Sequence, residues 1–187
     1  METFPIYKIQ LGDAAGIQLM SLVEYPAVEV DFLKFSKEPE QLQFTLDEEK
    51  RIVFGCSLRT DFPIYRFDRR GSYYVLFDSD TVRQLSEKFL VEGKFAAVNL
   101  DHNEKVDGVH LIHSFIKDSK NGINPIGFEH IADGSWFTAY KVNNDDVWNR
   151  VKNGEFKGFS VEGFFNLEPV KEEQTLEKLI DDILYEK

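Results

Sequence analysis

A hydrolase that attacks a peptide carbonyl with an alkoxide needs three groups. These are a serine, an imidazole that takes its proton near neutral pH, and something that orients the imidazole. The segment Lys157-Gly158-Phe159-Ser160-Val161-Glu162-Gly163-Phe164-Phe165 offers a serine in an unusual setting. Glycines flank a strand there, as they do where backbones approach closely or a bulge forms. With a period of two, Phe159, Val161, Phe165 and Leu167 share an apolar face. Ser160 and Glu162 then fall on the other face, free to line a cleft. Periodicity alone is also satisfied by a Ser160 that merely faces solvent, which is the plainer reading of that pattern.

The chain has four histidines and one cysteine. His102 follows the short strand Val98-Asn99-Leu100 in a polar turn, an element end from which a base can project into a site. His113 shares the face of Val109, Leu111 and Phe115 and is expected to point inward as a hydrogen-bonded core residue. His110, three residues away, is expected on the opposite face of that strand. His130 sits in a loop and is the last choice. Cys56, between Gly55 and Ser57 on an apolar strand, reads as a buried, inert thiol. No Cys-x-x-Cys or His-x-x-x-His spacing occurs, so neither a metal nor another cofactor is expected.

The elements that must position these groups are mostly strands. Apolar and polar residues alternate at 4–9, 17–23 and 28–32, and further runs at 52–58, 73–77, 109–116, 136–142 and 156–167 continue the pattern. Three segments have helical period. One opens at Asp78, carries Val82, Leu85 and Phe89 inward and stops at Gly93; it is expected to cover one opening of the sheet or barrel. A second opens at Asn143-Asn144, has Asp145 and Asp146 in its first turn, turns Val147, Trp148 and Val151 inward and ends at Gly154. The third, at 176–185, presents Leu176, Leu179, Ile180, Ile183 and Leu184 as a stripe, packed on its own domain or docked on another chain. Segments 36–41 and 118–134, rich in turn formers, are expected to be loose.

Composition bounds the rest. With 187 residues and 42% hydrophobic content, one compact domain at 1–170, followed by the amphipathic helix at 171–187, can bury roughly 70% of its unfolded surface without cross-links. Twenty-two basic against 33 acidic residues give a net charge of −11, which argues against direct nucleic-acid binding. No run reaches the roughly 18 to 20 apolar residues of a membrane span. The start of the chain lacks the basic and apolar regions of a secretory signal, so the protein is expected to stay where it is made.

Several linked motifs then carry a resemblance. Val98-Asn99-Leu100-Asp101-His102-Asn103 is followed by Leu111-Ile112-His113-Ser114-Phe115-Ile116 and by Gly134-Ser135-Trp136-Phe137 through Lys141-Val142. Asp146-Val147-Trp148 leads on to Val151-Lys152-Asn153-Gly154-Glu155-Phe156-Lys157-Gly158-Phe159-Ser160-Val161-Glu162-Gly163. In this order they resemble the XkdF-type serine proteases of tailed phages, relatives of the prohead proteases. The resemblance is strongest over 95–165, and Ser21-Leu22-Val23-Glu24-Tyr25-Pro26-Ala27-Val28 is similar to the family's usual opening.

The resemblance implies a mainly β (α+β) fold, a small assemblin-like β-barrel surrounded by a few helices. It implies a capsid-maturation endopeptidase in the host cytoplasm, inside the assembling prohead. Its partners would be the scaffold and major capsid proteins, with self-cleavage as a further event. On matching positions Ser160 is the nucleophile and His102 the general base. The orienting residue stays open between His113, which stands where the family often has glutamate, and Glu162, which shares a face with Ser160. No arginine follows Ser160, so oxyanion donors are expected from backbone amides near Gly158 or Gly163. Phe164 and Trp136 are candidates for an apolar substrate wall, although ordinary core roles suit both. The alternatives are a catalytically inactive head-associated structural protein that retains the protease fold, or an adaptor that docks through its C-terminal stripe.

Overall fold

The computed structural model describes residues 4–12, 15–26, 45–47, 50–69 and 71–170. The strand expected at 28–32, the loose segment at 36–41 and the helix at 176–185 lie outside the described residues. Among the described residues the chain is mainly β, with twelve strands and two α-helices.

Three four-stranded sheets form. The first contains β1 (Ile6–Gln10), β5 (Ile64–Asp68), β6 (Gly71–Leu76) and β12 (Asn166–Pro169), in the order β12-β1-β6-β5. The second contains β3 (Thr45–Asp47), β4 (Ile52–Leu58), β9 (Val109–Ile116) and β10 (Trp136–Val142), in the order β3-β4-β10-β9. The third, which carries the candidate chemistry, contains β2 (Gly16–Val23), β7 (Val98–Leu100), β8 (Glu104–Lys105) and β11 (Gly158–Phe164), in the order β11-β2-β7-β8. β11 runs close to β4, yet no ladder joins them, so the sheets stay open where a closed barrel is expected.

One apolar core joins the three sheets. Alternation along β2 buries Met20 and Leu22, along β7 Val98 and Leu100, and along β11 Phe159 and Val161. The two helices cover this core as their spacing predicts. α1 (Ser79–Val91) is capped by Asp78, whose side chain accepts the Thr81 N–H at 2.8 Å, and it buries Val82, Leu85 and Phe89. α2 (Asp145–Lys152) is capped by Asn144, which accepts the Val147 N–H at 3.1 Å, and it buries Val147, Trp148 and Val151. Trp136 belongs to the core too: it is fully buried against Phe89, and its indole N–H donates to Ser114 Oγ at 2.8 Å.

Two expectations are corrected here. His113 does not point inward. The register of β9 against β10 shifts between Ala139 and Tyr140, leaving Ile112 as the extra residue of a bulge. Beyond it the faces exchange, so Phe115 joins the Phe128–Phe137 cluster instead of the main core, and His113 is exposed beside Ala139. The same bulge places His110 and His113 on one face, opposite Lys141 and Ala139.

Segment 118–134 is also tied down rather than loose. Lys117, only 3% exposed, lends its ammonium to the carbonyls of Phe128 (3.2 Å), Glu129 (2.9 Å) and Ile131. A 3-10 turn at Ser119–Asn121 and the buried Phe128 and Ile131 complete the fold of the loop.

Candidate active site

Register in the third sheet builds the site from three neighbouring strands. Ser160 of β11 is the cross-strand partner of Ser21 in β2, and Ser21 is the partner of Asn99 in β7. Paired residues point to the same face, so Ser160, Ser21 and Asn99 form one polar row on the side away from the core. Met20 N–H donates to Ala97 and Leu22 C=O accepts from Asp101, so both turn their backbones toward β7. Alternation then turns the backbone of Ser21 toward β11 and makes Ser21–Ser160 a hydrogen-bonded pair. Ser160 therefore commits its own amide to the ladder, as does Gly158, while Phe159 and Val161 direct theirs away from β2. Gly163 answers a different need: a Cβ there would lie 2.3 Å from the Gly16 carbonyl oxygen, so the close β11–β2 approach demands glycine.

Glu162, two residues beyond Ser160, reaches over the same face and collects donors. Its Oε1 is 2.9 Å from His102 Nδ1, 2.5 Å from Asn99 Nδ2 and 3.0 Å from Ser21 Oγ. Ser21 Oγ also lies 2.9 Å from His102 Nδ1 and donates to Asn99 Oδ1. With one hydroxyl proton on Ser21, the consistent arrangement is Ser21 to Asn99, Asn99 to Glu162, and the His102 Nδ1–H to Glu162. That fixes the imidazole tautomer and leaves Nε2 as the acceptor. Burial pushes the Glu162 carboxyl upward, but the polar contacts of Asn99, His102 and Ser21 outweigh it and hold the group below its usual range.

The turn carrying His102 is under local strain. Asp101 and His102 have φ of 44° and 60°, a left-handed conformation that costs a non-glycine residue about 1 to 2 kcal/mol. Contacts on both sides hold it. Asn103 N–H donates to the Leu100 carbonyl at 3.0 Å, and Asp101 Oδ1 accepts the Glu24 N–H at 3.0 Å. The result is an imidazole turned back over the polar row.

His102, Ser160 and Glu162 line one cleft of about 850 Å³, together with Phe164, Tyr73 and Arg66. Ser21 and Asn99, 0% and 3% exposed, are not among the lining residues, while Ser160 lines the cleft although it too is only 3% exposed. Of the residues singled out from sequence, Ser160, His102, Glu162 and Phe164 meet here. His113, on the edge strand of a different sheet, and Trp136, in the core, are not among the lining residues. Cys56 packs on the Phe128–Phe137 cluster, and burial pushes its thiol up to about 12. Among the described residues no group of three His, Cys, Asp or Glu side chains is placed to hold a metal ion.

Sequence reasoning missed Ser21 and Asn99. A signal was present in both: each is a lone polar residue between two core-facing neighbours, Leu22 and Met20 or Val98 and Leu100. Only the strand order, which alternation cannot supply, sets the two side by side with Ser160.

Comparison with known proteins adds an independent line. The family model described as "Putative phage serine protease XkdF" matches residues 41–168. Among curated proteins the chain is similar to "Uncharacterized protein YqbD" of Bacillus subtilis (strain 168), at 24% identity over 155 residues, or 80% of this chain and 44% of that relative. The chain thus spans less than half the length of the curated relative it matches. No solved structure matches.

Proposed function

The chain belongs to the putative phage serine protease XkdF family, and from that premise we propose that it is a serine endopeptidase of head maturation. Ser160 is its nucleophile and His102 its general base. Its substrates are the scaffold protein or the scaffolding segment of the capsid protein, cleaved inside the prohead in the host cytoplasm, with self-cleavage as a further event.

One observation carries the reading: the His102–Glu162 contact of 2.9 Å on the same cleft wall as Ser160. A carboxylate that accepts the Nδ1 proton orients the imidazole and stabilises the imidazolium formed when Nε2 takes a proton. Glu162 thus fills the role for which His113 was the competitor. In the reaction Ser160 Oγ attacks the peptide carbonyl as its proton passes to His102. The protonated imidazole then releases the amine, and a water activated at His102 hydrolyses the acyl-enzyme. The oxyanion would draw on the amide of Val161, which points away from β2 and belongs to a residue lining the cleft.

A second reading rests on the 2.9 Å approach of Ser21 Oγ to His102 Nδ1 and makes Ser21 the nucleophile. Ser21 is 0% exposed and is not among the residues that line the cleft, whereas Ser160, itself 3% exposed, does line it, and this argues against Ser21.

The test is co-expression of the phage's capsid and scaffold proteins with wild type, Ser160→Ala or Ser21→Ala, followed by intact-mass measurement of assembled heads. Truncated capsid or scaffold is expected with wild type and with Ser21→Ala, but not with Ser160→Ala. Identical masses in wild type and Ser160→Ala would count against the assignment.

A further inference from the structure

The chain carries 33 acidic residues against 22 basic ones, and its arginines find carboxylates readily: Arg51 pairs with Asp145, Arg83 with Asp80, and Arg150 with Glu155. Arg66 is different. It lies on β5 opposite Tyr73 and extends into the cleft that holds Ser160 and His102. The cleft is lined by apolar residues, Ile9, Val75, Phe165 and Leu167 among them, and by the polar groups of His102, Ser160 and Glu162, the last already engaged by His102 and Asn99. The one hydrogen bond of Arg66 among the described residues runs from Nη1 to the neighbouring Tyr65 carbonyl, at 3.2 Å. No carboxylate among the described residues pairs with it. Burial holds the guanidinium below its usual value, with Tyr73 the one ionisable neighbour that opposes the shift.

A guanidinium has five N–H donors in a planar fork that matches a carboxylate. Taking it out of water is costly unless an anion accepts those donors. A cation that lines an open cleft with most of its donors unused is therefore suited to a ligand's negative group.

We propose, on the premise that this cleft is the peptidase site, that Arg66 is a specificity-determining residue that receives an aspartate or glutamate side chain of the bound peptide. The apolar walls hold the rest of the chain while the guanidinium forms charge-assisted hydrogen bonds to the carboxylate. The site thus selects acidic segments even though the protein as a whole is acidic.

The test uses the full chain and a proteome-derived peptide library, with cleavage products sequenced by mass spectrometry. Wild type, Arg66→Gln, Arg66→Lys and Ser160→Ala are compared, after circular dichroism shows that each variant is folded. In wild type, Asp or Glu is expected to be enriched at one subsite by about tenfold, the scale of a charge-assisted pair. Arg66→Gln should lose that enrichment and Arg66→Lys keep part of it. Cleavage without acidic preference, or with a preference unchanged in Arg66→Gln, overturns the proposal.

If no variant cleaves, the peptidase premise fails on its own, and binding decides the role of Arg66. Fluorescent pentapeptide pools with a central Glu or Gln are titrated by anisotropy. Tighter binding of the Glu pool that disappears in Arg66→Gln supports the site, and equal binding of the two pools contradicts it.

Discussion

His102 Nδ1 lies 2.9 Å from Glu162 Oε1, so a strained turn on one strand hairpin and the edge strand β11 meet in a single hydrogen bond. The two residues are far apart in the chain, and their contact ties the imidazole to the strand that carries Ser160. Glu162→Gln removes the charge that orients and stabilises the imidazole, and the peptidase rate is expected to fall by about 100-fold or more.

The same substitution has a signature in stability. The Glu162 carboxyl is held below its ordinary value of 4.5 by its contacts with Asn99, His102 and Ser21. A depressed carboxylate contributes stability that is present above the unfolded-state value and is lost as the pH falls through the folded-state value. Wild type is therefore expected to exceed Glu162→Gln in Tm by more at about pH 7 than at about pH 3. A difference that stays constant or grows in acid would contradict the assignment of these bonds.

Asn99 bridges the buried Ser21 and the carboxylate. Asn99→Ala removes the Asn99 acceptor of the Ser21 hydroxyl and one donor to Glu162, and is expected to cost about 1 to 3 kcal/mol in denaturant unfolding. Asn99→Asp places a like charge beside Glu162, which disfavours the ionised form. The acid limb of kcat/KM should then move to higher pH. An unmoved limb in a folded Asn99→Asp enzyme would remove Asn99 from the network.

Lys117 tests the architecture away from the cleft. Lys117→Met strands three carbonyls in a buried loop and is expected to destabilise the fold by about 2 to 3 kcal/mol. Amide exchange at 128–134 should quicken. A loss under about 0.5 kcal/mol, the scale of an ordinary surface change, would show that the ammonium does not hold the loop.

What was legible in the sequence follows from how local each signal is. Both helices could be read to their caps because Asp78 and Asn144 bond within their own first turns. The faces of β11 were legible as well, because Phe159 and Val161 alternate regularly with Ser160 and Glu162. The orientation of His113 was not, since one extra residue at Ile112 inverts the parity beyond it and no local pattern announces a bulge. Segment 118–134 looked loose because its composition favours turns, while the buried ammonium that holds it comes from Lys117, just outside. Ser21, Asn99 and Arg66 became visible only through strand order and the meeting of two sheets at the cleft.

The central claim is that Ser160, rather than the neighbouring Ser21, is the nucleophile activated by His102. The most direct measurement is labelling of the full chain with a fluorophosphonate, which reacts with activated serines, followed by peptide mapping in wild type, Ser160→Ala, Ser21→Ala and His102→Ala. The account predicts one adduct on Ser160 in wild type, retained in Ser21→Ala and lost in Ser160→Ala and His102→Ala. An adduct on Ser21, or labelling that survives in Ser160→Ala, would contradict it.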